Sequence, residues 1–219
     1  MSEKKLELVF LCDRSGSMGG LESDTIGGYN AMLQKQKAQP GCVRVTTVLF
    51  DDQYELLHDR LEIQAVAPIT EREYYVRGCT ALLDAMGKTI RKIAAVQQSV
   101  APEYRADQVL FVIITDGMEN ASREYRLDQV RAMVEREKAE HGWEFLFLGA
   151  NIDAIQTAQH FGIGADRAVD YHADSIGTQL NYEAVSQTIT HLRKGTPLDE
   201  HWKDAIEADY RSRKPRRDR

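Results

Sequence analysis

Much that would place this chain quickly is absent from it. There are only three cysteines, Cys12, Cys42 and Cys79, and none sits in a Cys-x-x-Cys pair. An odd, scattered set fits reduced thiols in a cytoplasmic protein rather than a disulfide framework. No run approaches the roughly 20 apolar residues of a membrane span. The start, Met-Ser-Glu-Lys-Lys-Leu, has no apolar signal core, so the expected location is intracellular. Positive charge is not in excess: 28 Lys and Arg against 34 Asp and Glu give a net charge of −6. A general nucleic-acid binder needs clustered positive charge, and this balance argues against one. The six histidines show neither His-Glu-x-x-His nor paired zinc spacing. Ser15-Gly16-Ser17-Met18-Gly19 lacks the leading glycine of a nucleophile elbow, and no Gly-Lys-Ser/Thr follows Gly16 to Gly20 to make a phosphate loop. There is no internal repeat and no long low-complexity linker.

What is present is an ordinary globular composition, 42% apolar and 28% charged over 219 residues, enough for one large domain. Leu6 to Cys12 is nearly continuous apolar sequence, the pattern of a strand covered on both faces. A helix follows from about Leu21 to before Pro40-Gly41. Val43 to Phe50 is a second strand. Tyr54 to Leu61, reached through the short turn Asp51-Asp52-Gln53, is a third that must return antiparallel. Ile63 to Arg77 is irregular. Ala81 to Gln98 is helical, and Gln108 to Thr115, the most apolar segment, is a central strand. A helix carrying Leu127, Val130 and Val134 stops at Gly142. A strand over Trp143 to Leu148 precedes a short helix capped by Asp153. A last strand over Ala168 to Tyr171 leads into a long helix with Ile176, Leu180 and Leu192 on its face, ended by Gly195. The alternation specifies an α/β domain with a mostly parallel sheet, one antiparallel strand and helices on both faces. We divide the chain into a domain over 1–195 and an extension over 196–219, helical in part and ending in a basic tail.

The stretch that stands out is Asp13-Arg14-Ser15-Gly16-Ser17-Met18, at the carboxyl end of the first strand. Three oxygen-bearing side chains within five residues make a hard-cation loop for Mg²⁺ or Mn²⁺. In open α/β sheets, ligands sit beyond the carboxyl ends of the strands, where strand order reverses. Two further loops can meet there, one carrying Thr80 and one carrying Asp116 at the end of the central strand. The five side chains offer only oxygen, and only two are charged. A cation held so is under-neutralised and should welcome an acidic oxygen from another molecule.

These residues resemble the von Willebrand factor A domain family, whose metal-ion-dependent adhesion site is Asp-x-Ser-x-Ser, a distant Thr and a distant Asp. Here the elements are Asp13-Arg14-Ser15-Gly16-Ser17, Gly78-Cys79-Thr80 and Thr115-Asp116-Gly117, and the resemblance covers about Lys5 to Leu192. It implies a Rossmann-like, doubly wound sheet with one short antiparallel edge strand. It also implies Asp13, Ser15, Ser17 and Thr80 at or near the metal, with Asp116 acting directly or through water. The sixth position would go to the Asp or Glu of a partner protein. The overall form is similar to the small intracellular bacterial or phage branch of the family. On this reading the protein is a binding module and not an enzyme.

Plainer readings exist for each part. Asp13, Ser15 and Ser17 alone could satisfy a helix N-terminus, Thr80 could be an N-cap, and Asp116-Gly117 could be only a turn. Glu119 and Asn120 follow closely enough to touch the rim of the site, but a solvated loop is the preferred reading. The enzymatic alternative is a Mg²⁺-dependent phosphohydrolase with Asp13 as nucleophile. Against it, the position two residues on is Ser15 and not a second acid, and Lys88 lies about two turns into a helix. From Arg211 to Arg219 six basic residues face one acid. Such a tail reads as a solubilising end, with contact to nucleic acid as the sharper alternative.

Overall fold

The computed structural model describes residues 4–213. Six strands form one sheet: β1 (Lys5–Asp13), β2 (Cys42–Phe50), β3 (Tyr54–Glu62), β4 (Gln108–Thr115), β5 (Glu144–Ala150) and β6 (Ala168–Tyr171). Their order is β3-β2-β1-β4-β5-β6, with only β2 and β3 antiparallel. The helices are α1 (Glu22–Lys37), α2 (Leu82–Ser99), α3 (Leu127–His141), α4 (Ala154–His160), α5 (Ser175–Arg193) and α6 (Asp204–Arg213). The architecture is the expected doubly wound α/β sheet with an antiparallel edge strand.

The near-continuous apolar runs exist because each central strand is covered twice. Leu6, Leu8, Phe10 and Cys12 of β1 face a core shared with Tyr29 and Leu33 of α1 and Val185 and Ile189 of α5. Val9 and Leu11, of opposite parity, face a second core with Met86 and Ile90 of α2 and Val130 and Val134 of α3. One strand therefore feeds two cores by the two-residue period of its side chains. α3 stops where Gly142 takes a left-handed conformation (φ 63°), which glycine adopts without a Cβ penalty.

The chain leaves β1 for β2 and β3 on one side, then returns to place β4, β5 and β6 on the other. The strand order therefore reverses between β1 and β4. Register sets Cys12 opposite Ile114, so Asp13 and Thr115 end neighbouring strands at the same level. Asp116 follows directly.

The segment beyond 195 packs onto this body. Trp202 and Ile206 join the core on the α1/α5 side. The Trp202 Nε1 donates to the Asp166 carbonyl at 2.8 Å, and Lys203 Nζ donates to the carbonyls of Ala165 and Ala168 at 2.6 and 2.9 Å. α6 lies against β6 and α5, which covers the otherwise open edge of the sheet. The basic tail beyond Arg213 lies outside the described residues. Among the described residues, no helix is long and apolar enough to cross a membrane. Replacing Trp202 by Ala removes a buried indole and strands a carbonyl. Urea unfolding of that variant should show a loss of about 3 kcal/mol, and a loss below ~1 kcal/mol would mean that the segment only rests on the domain.

Candidate metal centre

The five oxygen-bearing side chains picked from the sequence converge. Ser15 Oγ and Ser17 Oγ are 3.0 Å apart, and Thr80 Oγ1 donates to Ser15 Oγ at 3.0 Å. Ser17 Oγ donates to Asp116 Oδ1 at 2.6 Å. Asp13 stands at the back of the group. Its Oδ1 accepts the Ser15 N–H at 2.7 Å and its Oδ2 accepts Thr115 Oγ1 at 2.5 Å. Asp13, Ser15, Thr80 and Asp116 are buried, while Ser17 faces the surface.

The capping alternatives for the first two loops are not met by the observed hydrogen bonds. Thr80 does not cap α2. That helix receives its caps from the loop after β4, where Glu119 Oε2 accepts the Leu83 N–H at 2.8 Å and Ser122 Oγ accepts the Asp84 N–H at 3.0 Å. The Thr80 hydroxyl is thereby left to the oxygen cluster. Neither Ser15 nor Ser17 makes a cap bond to the one-turn 3₁₀ helix Gly16–Met18 or to α1. Lys88 is turned away from the cluster, 2.7 Å from Glu124 and over the Tyr54 ring.

One expectation is sharpened. Residues 119 and 120 reach solvent, Asn120 being exposed and Glu119 half-buried, but their side chains are also bonded to the start of α2. Asn120 Oδ1 accepts the Thr80 N–H at 2.9 Å, and the Thr80 carbonyl accepts the N–H groups of Asn120 and Ala121 at 3.0 and 3.2 Å. In return Asp84 of α2 accepts the N–H groups of Arg123, Glu124 and Tyr125. A polar stretch with no apolar period hides such reciprocal bonding, because the partners are 40 residues apart. Three more contributors were not singled out: Thr115; Tyr74, whose hydroxyl donates to the Asp13 carbonyl at 2.6 Å; and Arg14, fully buried between two cluster residues. For Thr115, its place at a strand end beside Asp116 was a usable signal.

The donor set fits a small, hard divalent cation. Asp116 Oδ2 is buried and has no hydrogen-bond partner, a costly state for a carboxylate oxygen unless a charge meets it. Gly117 marks the space. A Cβ built there would lie 2.8 Å from Thr80 Oγ1, 2.9 Å from Ser17 Oγ and 3.6 Å from Ser15 Oγ. The three hydroxyls thus close on one point that any larger residue would fill. Among the described residues, no three His, Cys, Asp or Glu side chains gather to hold a metal, here or elsewhere, so the case for a cation at this place rests on hydroxyls and two acids.

The carboxylates are electrostatically unmet. Burial pushes Asp13 up to about 6, against the hydrogen bonds from Thr115 and Ser15, and the neighbouring Asp116 adds to the rise. Burial also raises Asp116, against the bond from Ser17.

No family model and no curated protein matches the chain. Solved structures do. A minor pilin, PilB of Streptococcus sanguinis (D319A mutant), superposes with a TM-score of 0.62 at 12% identity, over 90% of this chain and 64% of the pilin. The vWF domain of the pilus tip protein Mfa5 of Porphyromonas gingivalis gives 0.59 at 11% identity, over 87% of this chain and 96% of that domain. Proximal thread matrix protein 1 of the mussel byssus, solved with a zinc-occupied MIDAS motif, gives 0.56 at 14% identity, over 84% of this chain and 46% of that protein. The chain spans under two thirds of the pilin and about half of the byssus protein. Its fold is that of a von Willebrand factor type A domain.

The Asp13 shift makes a signed prediction for metal-free protein. A carboxyl raised from 3.8 to about 6 keeps its proton in the folded state after the unfolded chain has lost it. Stability therefore falls as pH rises through that window, by up to about 3 kcal/mol at neutral pH. In chelator, Asp13→Asn should raise the urea midpoint near neutral pH and have almost no effect near pH ~4. Equal midpoints at neutral pH would refute the desolvation of Asp13.

Proposed function

We propose that this chain is a metal-dependent protein-interaction module that captures an acidic side chain of a partner. It is read as non-enzymatic and as a member of the small, cytoplasmic, bacterial or phage type of von Willebrand factor A domain, with a complete adhesion site. The observation that carries the reading is the meeting of three hydroxyls and two buried carboxylates, one of them with an unbonded oxygen, at the point where strand order reverses. Asp13, Ser15, Ser17, Thr80 and Asp116 are the residues assigned to hold the ion, Mg²⁺ first and Mn²⁺ second. The byssus protein, of similar fold, was solved with zinc in its MIDAS motif.

When bound, the cation would supply an electrophilic position to which an external carboxylate can attach. The protein's part is to keep that position under-neutralised. Asp13 stands back with both oxygens hydrogen-bonded, so fewer than two carboxylates would touch a divalent ion directly and its charge would be only partly met, while Ser17 on the exposed side leaves an approach from solvent. The same composition weakens the phosphohydrolase reading. Ser15 occupies the place of a general acid, and Lys88 is held by Glu124. The thiols of Cys12 and Cys79 are free, which suits a reducing compartment.

The test is a pull-down from the source cell, run with Mg²⁺ and with chelator, using wild type and Asp13→Ala. A partner retained only by wild type in Mg²⁺, with circular dichroism of the variant unchanged, is the expected result. Capture that persists in chelator would refute the reading.

A further inference from the structure

The residue between the first two candidate ligands is, among the described residues, the largest fully buried side chain. In the extended start of the loop, Asp13 and Ser15 face the cluster, so Arg14 must point the other way. There it meets a prepared set of acceptors. Its Nε donates to Asp51 Oδ2 at 2.9 Å, and its Nη1 lies 2.7 Å from Glu55 Oε2 and donates to the Glu73 carbonyl at 3.2 Å. The Asp51 carboxylate is shared. The same Oδ2 accepts Arg77 Nε at 2.7 Å, and Oδ1 accepts the Gln53 N–H at 2.6 Å. Both guanidinium groups lie 5.4 Å from the centre of the Tyr75 ring.

The backbone repeats the connection. The Arg14 N–H donates to Phe50 at 2.8 Å, and the Arg77 N–H donates to Arg14 at 2.9 Å. Gly16 donates to Gly78 at 3.2 Å, and Ala81 donates to Asp51 at 2.8 Å. Three segments thus meet around one carboxylate: the Asp13–Ser17 loop, the β2–β3 turn and the loop that ends in Thr80. None of Arg14, Asp51 or Arg77 belongs to the oxygen cluster. A planar guanidinium can serve several acceptors in fixed directions, which a lysine ammonium cannot.

We propose that Arg14, Asp51 and Arg77 form a positioning clamp that sets the separation of the Asp13–Ser17 loop from the Thr80 loop, and so the size of cation the site accepts. The cation part rests on the metal-binding reading above; the loop part does not. Mg²⁺ demands near-ideal octahedral geometry at short distances, whereas Ca²⁺ tolerates a looser and larger shell. A slackened clamp should therefore cost Mg²⁺ more than Ca²⁺, which general destabilisation would not do.

The variants are Asp51→Asn and Arg14→Lys, with Arg77→Gln as the milder change because that side chain is 42% exposed. Amide hydrogen exchange of the metal-free proteins is compared at Gly16, at Ala81 and at Val112 in the middle of β4. Calorimetric titrations with Mg²⁺ and with Ca²⁺ give the two affinities. The expected result is exchange faster by about tenfold or more at Gly16 and Ala81 with Val112 still protected. The ratio of Mg²⁺ to Ca²⁺ affinity should fall by about tenfold. Wild-type protection at Gly16 and Ala81, or an unchanged ratio in variants that bind both ions, would overturn the clamp. If Val112 loses protection in the first two variants, Arg77→Gln decides by the same criteria. Wild type that binds neither ion would refute the metal reading, and the exchange data would still decide the loop part.

Discussion

Two carboxylates without adequate partners at the ends of adjacent central strands are the constraint around which this structure is arranged. Asp13 and Asp116 are both buried, and burial raises both. A chain selected for stability alone would not keep them so. Around them lie short, neutral donors: Ser15, Ser17, Thr80 and Thr115. Hydroxyls can orient a carboxylate without neutralising it. The arrangement is preorganised and electrostatically incomplete.

The rest of the fold supplies rigidity at that place. The reversal of strand order between β1 and β4 leaves a crevice at their carboxyl ends, and the two cores hold both strands from either face. The three loops are then fastened to one another. Reciprocal bonds join the start of α2 to residues 119–125, and the Arg14–Asp51–Arg77 set joins the first loop to the second. Asp51 shows how firm the second joint is. Burial alone would raise this carboxyl, yet the bonds from Arg77, the Gln53 N–H and Arg14 bring it below the ordinary value. Buried acids in one molecule are thus pushed both ways, Asp51 down beside two guanidinium groups and Asp13 and Asp116 up beside neutral hydroxyls.

The contrast also separates structural from functional charge. Removing either side of the Asp51 set leaves a buried ion unpaired, so its residues are bound to one another by necessity. Asp116 carries an orphan oxygen in the native chain. Gly117 follows it for a reason of space, since a side chain there would run into the hydroxyls.

How much of this was legible in the chain depends on range. The strand Leu6 to Cys12, the helix stop at Gly142 and the hairpin after Phe50 follow from local pattern, and each lies within a residue or two of its expected bounds. The five oxygen-bearing residues were legible because each sits beside a strand end or a turn. Nothing local marks Arg14 as buried; the β2–β3 turn and residues 73–77 close over it. Asn120 and Glu119 show no local sign of the bonds they make to the start of α2. The sequence by itself determined the alternation of elements, the two-faced burial of the strands and the identity of the oxygen donors, because these depend on side-chain period and chemistry within one segment. Only the tertiary structure decided which side chains share a carboxylate, which caps a distant helix and which stays unmet. Those outcomes depend on distances between residues far apart in the chain, and no local pattern encodes them.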